Sequence, residues 1–118
     1  MMKKPKGIGP DEEIPRIFYH GTTEDKAEAI LEEGLLPQLS QRDDEETDFI
    51  FLAESPKTAK MFAPGGDYWR GGDIKGVILK IQPPMKLILK FRFDLGEFVR
   101  SPVEIPPEYI EIFEYTNG

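Results

Sequence analysis

The only histidine of the chain, His20, stands in Tyr19-His20-Gly21-Thr22, just ahead of a stretch with helical character. A neutral imidazole offers one hydrogen-bond donor and one acceptor. The glycine beside it removes a side chain, which lets a ligand approach the backbone and present a flat amide to its N–H and C=O. Phe51, in the apolar run Phe49-Ile50-Phe51-Leu52-Ala53, can offer a ring for stacking, and Ser55-Pro56 behind it opens a short helix. Glu97 follows a glycine turn at the start of an extended segment. A carboxylate there can point into a cleft, hold a sugar hydroxyl or stabilise a cationic transition state. These features converge on a nucleotide-binding site. Each also has a plainer reading: His20 as a turn residue, Phe51 as core, Glu97 as a solvated strand end. In Tyr68-Trp69-Arg70-Gly71-Gly72 the only tryptophan sits beside a cation in a glycine-rich loop. That pair can grip a pyrophosphate or a partner, or the ring can simply cover the core edge.

Composition narrows the chemistry further. With no cysteine there is no disulfide, thiolate ligand or cysteine nucleophile, and one histidine excludes a histidine-rich metal centre. No spaced Asp pattern resembles a calcium loop, so no metal is expected. Fifteen Lys and Arg against 22 Asp and Glu give a net charge of −7, which opposes long-range attraction to nucleic acid but leaves a local basic groove open. No apolar run approaches the ~20 residues that cross a bilayer. The basic start, Met1 to Gly7, lacks the apolar stretch of a secretory signal. A soluble, cytoplasmic chain is expected, with no membrane partner. The absence of a heptad pattern or long hydrophobic edge predicts a monomer.

The residues above need elements to hold them. At 118 residues, one domain over 15–118 is expected, after a flexible tail over 1–14. Arg16 to His20 reads as a strand, and Gly21-Thr22-Thr23 as the turn into a helix from about Glu24 to Glu33. Thr22 or Thr23 is its N-cap, Ala27, Ile30 and Leu31 its apolar stripe, and Gly34 its end. Gln38 to Asp48 reads as a polar loop or a flap over a site. Phe49 to Ala53 reads as a strand buried on both faces, and Pro56 to Ala63 as a helix with Ala59, Phe62 and Ala63 inward. Gly76 to Ile81 is a strand, and the alternation from Met85 to Phe93 predicts another with one wet face. Asp94-Leu95-Gly96 is a turn, Glu97 to Arg100 is extended, and Tyr109 to Phe113 is a last strand with Ile110 and Ile112 on one side. Two early helices followed by strands make an α+β fold.

Taken in order, these motifs resemble the ADP-ribosyltransferases, the broad group that includes the poly(ADP-ribose) polymerases. Tyr19-His20-Gly21-Thr22, with Ala29-Ile30, Gly34-Leu35 and Pro37, looks like the family's opening strand and first helix. Phe49 to Ala53 followed by Ser55 to Ala59 resembles its second motif. Glu97-Phe98-Val99, with Ile105 and Tyr109-Ile110, resembles its third, which holds the catalytic glutamate. The similarity spans residues 16–113.

The resemblance implies a split, twisted β-sheet with two short helices and a cleft for NAD+, the substrate, between its halves. It implies that His20 bonds a ribose of NAD+, Gly21 pairs with the nicotinamide carboxamide, and Phe51 stacks on the nicotinamide ring. Glu97 then holds the nicotinamide-ribose 2′-hydroxyl and stabilises the oxocarbenium-like state. The implied set is Glu97 and His20 for catalysis and His20, Gly21, Thr22, Phe51 and Ser55 for NAD+, to which the glycine-rich loop adds Arg70. Phe51 departs from the family's usual tyrosine. The loops 38–48 and 64–72 are the only room for recognising an acceptor, whether protein, nucleic acid or small molecule. Two other readings compete with mono-ADP-ribosyl transfer. One is a tRNA 2′-phosphotransferase-like enzyme, suggested also by Ile105-Pro106-Pro107-Glu108-Tyr109-Ile110. The other is a non-catalytic module that binds ADP-ribose or a protein.

Overall fold

β-Branched and aromatic residues from Phe18 onward build the first strand, β1 (Phe18–Thr23), in the computed structural model, which describes residues 4–37, 49–66, 69 and 74–116. It runs directly into α1 (Glu24–Glu33). Thr23 caps that helix by accepting the Lys26 N–H at 3.2 Å, and Glu24 and Asp25 complement the positive end of its dipole. Gly34 closes it at φ 87°, with its N–H on the carbonyl of Ile30. Then follow β2 (Ile50–Ala53), α2 (Pro56–Lys60), β3 (Gly76–Ile81), α3 (Met85–Ile88), β4 (Arg92–Phe93), β5 (Phe98–Ser101) and β6 (Ile110–Thr116). Short 3₁₀ turns at Leu95–Glu97 and Pro107–Tyr109 precede the last two. Among the described residues no helix is long and apolar enough to cross a membrane.

The strands form one six-stranded sheet in the order β4-β5-β2-β1-β3-β6, antiparallel at every pairing. The fold is α+β, as expected. β1 and β3 pair over six positions, from Phe18↔Ile81 to Thr23↔Gly76. β2 and β5 pair over four, from Ile50↔Ser101 to Ala53↔Phe98. Between these two halves the ladder holds a single pair, Tyr19↔Ala53. Beyond it β1 and β2 part, and the opening between them is where the site forms.

Two clusters hold the halves in place. Phe18, fully buried, packs edge-on against Phe91 at 5.3 Å and tilted against Phe93 at 5.9 Å, within a core that includes Ile30, Leu79, Ile81, Val99 and Ile105. On the other face Ala53, Ala59 and Ile78 make a smaller cluster under α2. Val77, Leu79 and Ile81 serve the first cluster and Ile78 the second, so β3 is apolar at consecutive positions because both its faces are covered. Gly21 fits between β1 and α2. A Cβ there would lie 2.3 Å from the carbonyl oxygen of Ala59 and 3.1 Å from Ala63 Cβ. Packing of α2 on β1 is thus reason enough for the glycine.

Several expectations need correction. His20 lies in a strand as expected, but β1 continues to Thr23, so Gly21, Thr22 and Thr23 are part of the strand and not a turn. Six consecutive pairs to β3 hold them extended. Met85 to Phe93 is a helical turn plus a two-residue strand. Main-chain bonds from Leu87 and Ile88 back to Pro84, and from Leu89 to Met85, close the turn after the prolines. The fully buried side chains there are Ile88 and Phe91, three apart, which is helical spacing. A third helix therefore joins the expected two. β2 is not buried throughout, since Phe51 is exposed, and Phe62 is exposed where an inward position was expected. Ile110 and Ile112 pair with Ile81 and Leu79 in unbroken register and so share one side of β6, with Ile110 buried and Ile112 exposed; the register shift falls beyond them, between Ile78 and Leu79. The stretch read as a tail is fastened over its described part. Phe93 N–H donates to the Lys6 carbonyl at 2.7 Å, Pro5 is buried, and Ile8 and Ile14 pack on the core.

Candidate functional site

The parting of β1 and β2 leaves a cleft of about 660 Å³. Tyr19 to Thr23 line one side, Ile50 to Ala53 the other, and one face of α1 runs along it. Phe62, Trp69 and Phe98 add rings, Lys26, Glu33, Asp94 and Arg100 the charges. A mostly apolar concavity with a few placed polar groups is the usual form of a small-molecule site. His20, Gly21, Thr22 and Phe51, all read from the sequence as site residues, share this one cleft.

His20 bridges the parting strands. Its Nδ1 lies 2.7 Å from the main-chain carbonyl oxygen of Phe51. A carbonyl only accepts, so Nδ1 carries the proton and Nε2 of the neutral ring is an acceptor. Loss of hydration within the protein lowers the pKa below the ordinary 6.5; the bond to Phe51 opposes this, and the positive charge of Lys26 adds to it. The fold therefore disfavours the imidazolium. Since the folded pKa lies below the unfolded one, the unfolded chain binds more protons between the two values. Stability is then lost as pH falls below about 6.5 towards the folded pKa. An NMR titration of this single histidine is expected to give a midpoint below 6.5. A midpoint at or above it would mean that the ring is solvated.

Glu97 is held at the other end of β2. Its backbone is left-handed at φ 69°, directly after Gly96 at φ 76°, a conformation that costs a non-glycine residue on the order of 1 kcal/mol. Two main-chain bonds maintain the turn: Glu54 N–H to the Glu97 carbonyl at 3.0 Å, and Asp94 N–H to the Phe98 carbonyl at 2.8 Å. The carboxylate accepts from the Ser55 hydroxyl at 2.6 Å and the Thr58 hydroxyl at 2.8 Å, both on Oε1. These bonds, Ser55 first, hold its pKa below the usual 4.5, with a further contribution from Lys57. Ser55 also caps α2, accepting the Thr58 N–H at 3.2 Å. One cap thus orders the helix and aims a fixed negative charge. Among the described residues no donor bonds Oε2.

The structure brings the candidates together as two groups. His20 and Phe51 are joined in the cleft; Ser55 and Glu97 are joined beside it, next to its lining residues Ala53, Asp94 and Phe98. Neither Ser55 nor Glu97 lines the cleft itself. β2 alone separates β1 from β5, so those two strands lie about 10 Å apart at the usual spacing. Arg70 and the loop over 38–48 lie outside the described residues. Sequence reading missed Thr58, Lys26, Phe98 and Arg100. Thr58 was findable, as it stands three residues after the cap Ser55, where a polar side chain meets the capping residue. Arg100 is committed elsewhere in the site: it donates to Asp94 at 2.8 and 3.1 Å and lies 5.1 Å from the Phe49 ring.

Compared with models of known protein families the chain matches none, and no curated protein matches it either.

Proposed function

We propose that this chain is an NAD+-dependent ADP-ribosyltransferase, cleaving the bond between nicotinamide and ribose and passing ADP-ribose to an acceptor. The observation that carries the reading is the split of the sheet between β1 and β2, with an acceptor imidazole on one side, an exposed aromatic on the other, and a fixed carboxylate at the edge. Nicotinamide stacks on Phe51, which lines the cleft and is 36% exposed. His20 Nε2 accepts a hydrogen bond from a ribose hydroxyl.

Glu97 Oε2 accepts the 2′-hydroxyl of the nicotinamide ribose. As the C1′–N bond breaks, its electron pair goes to the ring nitrogen, nicotinamide leaves neutral, and positive charge develops on the ribose. A carboxylate already held by two hydroxyls stabilises that charge without reorganising. The acceptor nucleophile then attacks C1′ and loses its proton. An RNA 2′-phosphate would ask more of the cleft in cations. Among the described residues it has Lys26 and Arg100, and Asp94 occupies the latter.

The single histidine gives a direct test. Adding NAD+ is expected to shift the imidazole resonances of His20 saturably and to lower its pKa further, since the bound form needs a neutral ring. Resonances unmoved at millimolar NAD+ would sink the assignment of the cleft.

A further inference from the structure

The cleft face of α1 carries Lys26, Ala29, Ile30 and Glu33, spaced by three, four and seven residues, so these positions share one side of the helix. The two charges on it differ in sign and stand about 10 Å apart along the axis at 1.5 Å per residue. Lys26 lies at the end nearer His20, close enough that its charge lowers the pKa of that ring. It is exposed and makes no ion pair with any described residue. Among the described residues the other cation lining the cleft, Arg100, is bound twice by Asp94. In a chain of net charge −7, an uncommitted lysine within the cleft is a specific feature.

We propose that Lys26 holds the diphosphate of the dinucleotide, fixing which way the ligand lies along α1. This rests on the reading of the cleft as an NAD+ site. The helix end by itself does not bind the anion. The Lys26 N–H is already bonded to Thr23 Oγ1 and the Glu24 N–H to the Lys75 carbonyl, so the ammonium group supplies the contact. Glu33 repels phosphate from the far end of the same face. Ala29, one turn on from Lys26, keeps the helix surface low where the ligand crosses it. The diphosphate therefore lies over the first turn of α1, with the nicotinamide riboside end directed to His20 and Phe51.

Calorimetric titration of the full chain with NAD+, and separately with nicotinamide riboside, which has no phosphate, tests this. Lys26→Ala is expected to weaken NAD+ binding about tenfold or more, the scale of a lost charge-assisted bond. Lys26→Arg, which keeps the charge, is expected to stay within about threefold, and riboside affinity to be the same for all three proteins. The side chain is exposed, so melting curves should coincide. If the wild type binds NAD+ and Lys26→Ala binds it equally well, the diphosphate lies elsewhere and only this inference falls. Equal weakening of both ligands would overturn it too, making Lys26 a shaper of the cleft. No NAD+ binding by the wild type would remove the underlying function and this inference together.

Discussion

Glu97→Gln is expected to slow nicotinamide release roughly a hundred- to a thousandfold, the usual effect of deleting one preorganised electrostatic contact to a transition state. NAD+ affinity is expected to change by less than about threefold, because the ground-state ribose carries no positive charge for the carboxylate to meet. Glutamine preserves size and can still take the Ser55 and Thr58 hydroxyls on its amide oxygen, so the loss isolates charge from shape. In steady-state kinetics the fall should appear in kcat with KM little moved. The rate should also hold on the acid side down to the pKa values of His20 and Glu97. Both are lowered, so the acid limb lies below pH 6.5. A variant that keeps full activity would remove Glu97 from the chemistry. An acid limb centred above 6.5 would mean that some other group sets it.

Phe18→Ala is expected to be the most damaging single change to the fold, at about 3–5 kcal/mol for a buried aromatic. Phe18 is 0% exposed, heads β1 two residues before His20, and joins the sheet to Phe91 and Phe93. Domains of this size have a total of only about 5–15 kcal/mol, so the variant should melt roughly 10–25 °C lower. Urea unfolding monitored by circular dichroism measures it. Loosening of β1 should also let water reach the His20 ring, visible as a rise of its pKa towards 6.5, since loss of hydration is the chief cause that lowers it. A change under 1 kcal/mol would show that Phe18 is not the anchor of this sheet.

Local chemistry was legible in the sequence wherever a short stretch decides its own conformation. Thr23 and Gly34 bound α1 because a hydroxyl satisfies a helix N–H and a glycine accepts positive φ, both local requirements. Ser55-Pro56 started α2 for the same reason. What long-range pairing decides was not legible. The alternation of Met85 to Phe93 suggested a strand, yet the turn after Pro84 and the burial of Ile88 with Phe91 made a helix there. The role of Gly21 depends on Ala59, 38 positions away, which no pattern near residue 21 reports.

The site divides along the same line. His20, Phe51 and Glu97 were visible as residue types in suggestive places, whereas the features that make them a site are contacts between distant segments. The single pair between β1 and β2, which opens the cleft, is a property of the sheet and not of either strand. The bond of Ser55 to Glu97 joins residues 42 apart and makes one serine both helix cap and carboxylate partner. Lys26 went unnoticed because its charge gains meaning only once the cleft runs past it.

Nicotinamide formed from NAD+ by the purified chain, counted per protein molecule against a protein-free control, tests the central claim most directly. Release above the spontaneous rate, proportional to protein and suppressed by Glu97→Gln, is expected. NAD+ bound at the His20 cleft with no nicotinamide formed, alone or with protein and nucleic-acid acceptors added, would contradict it and leave a binding module in place of an enzyme.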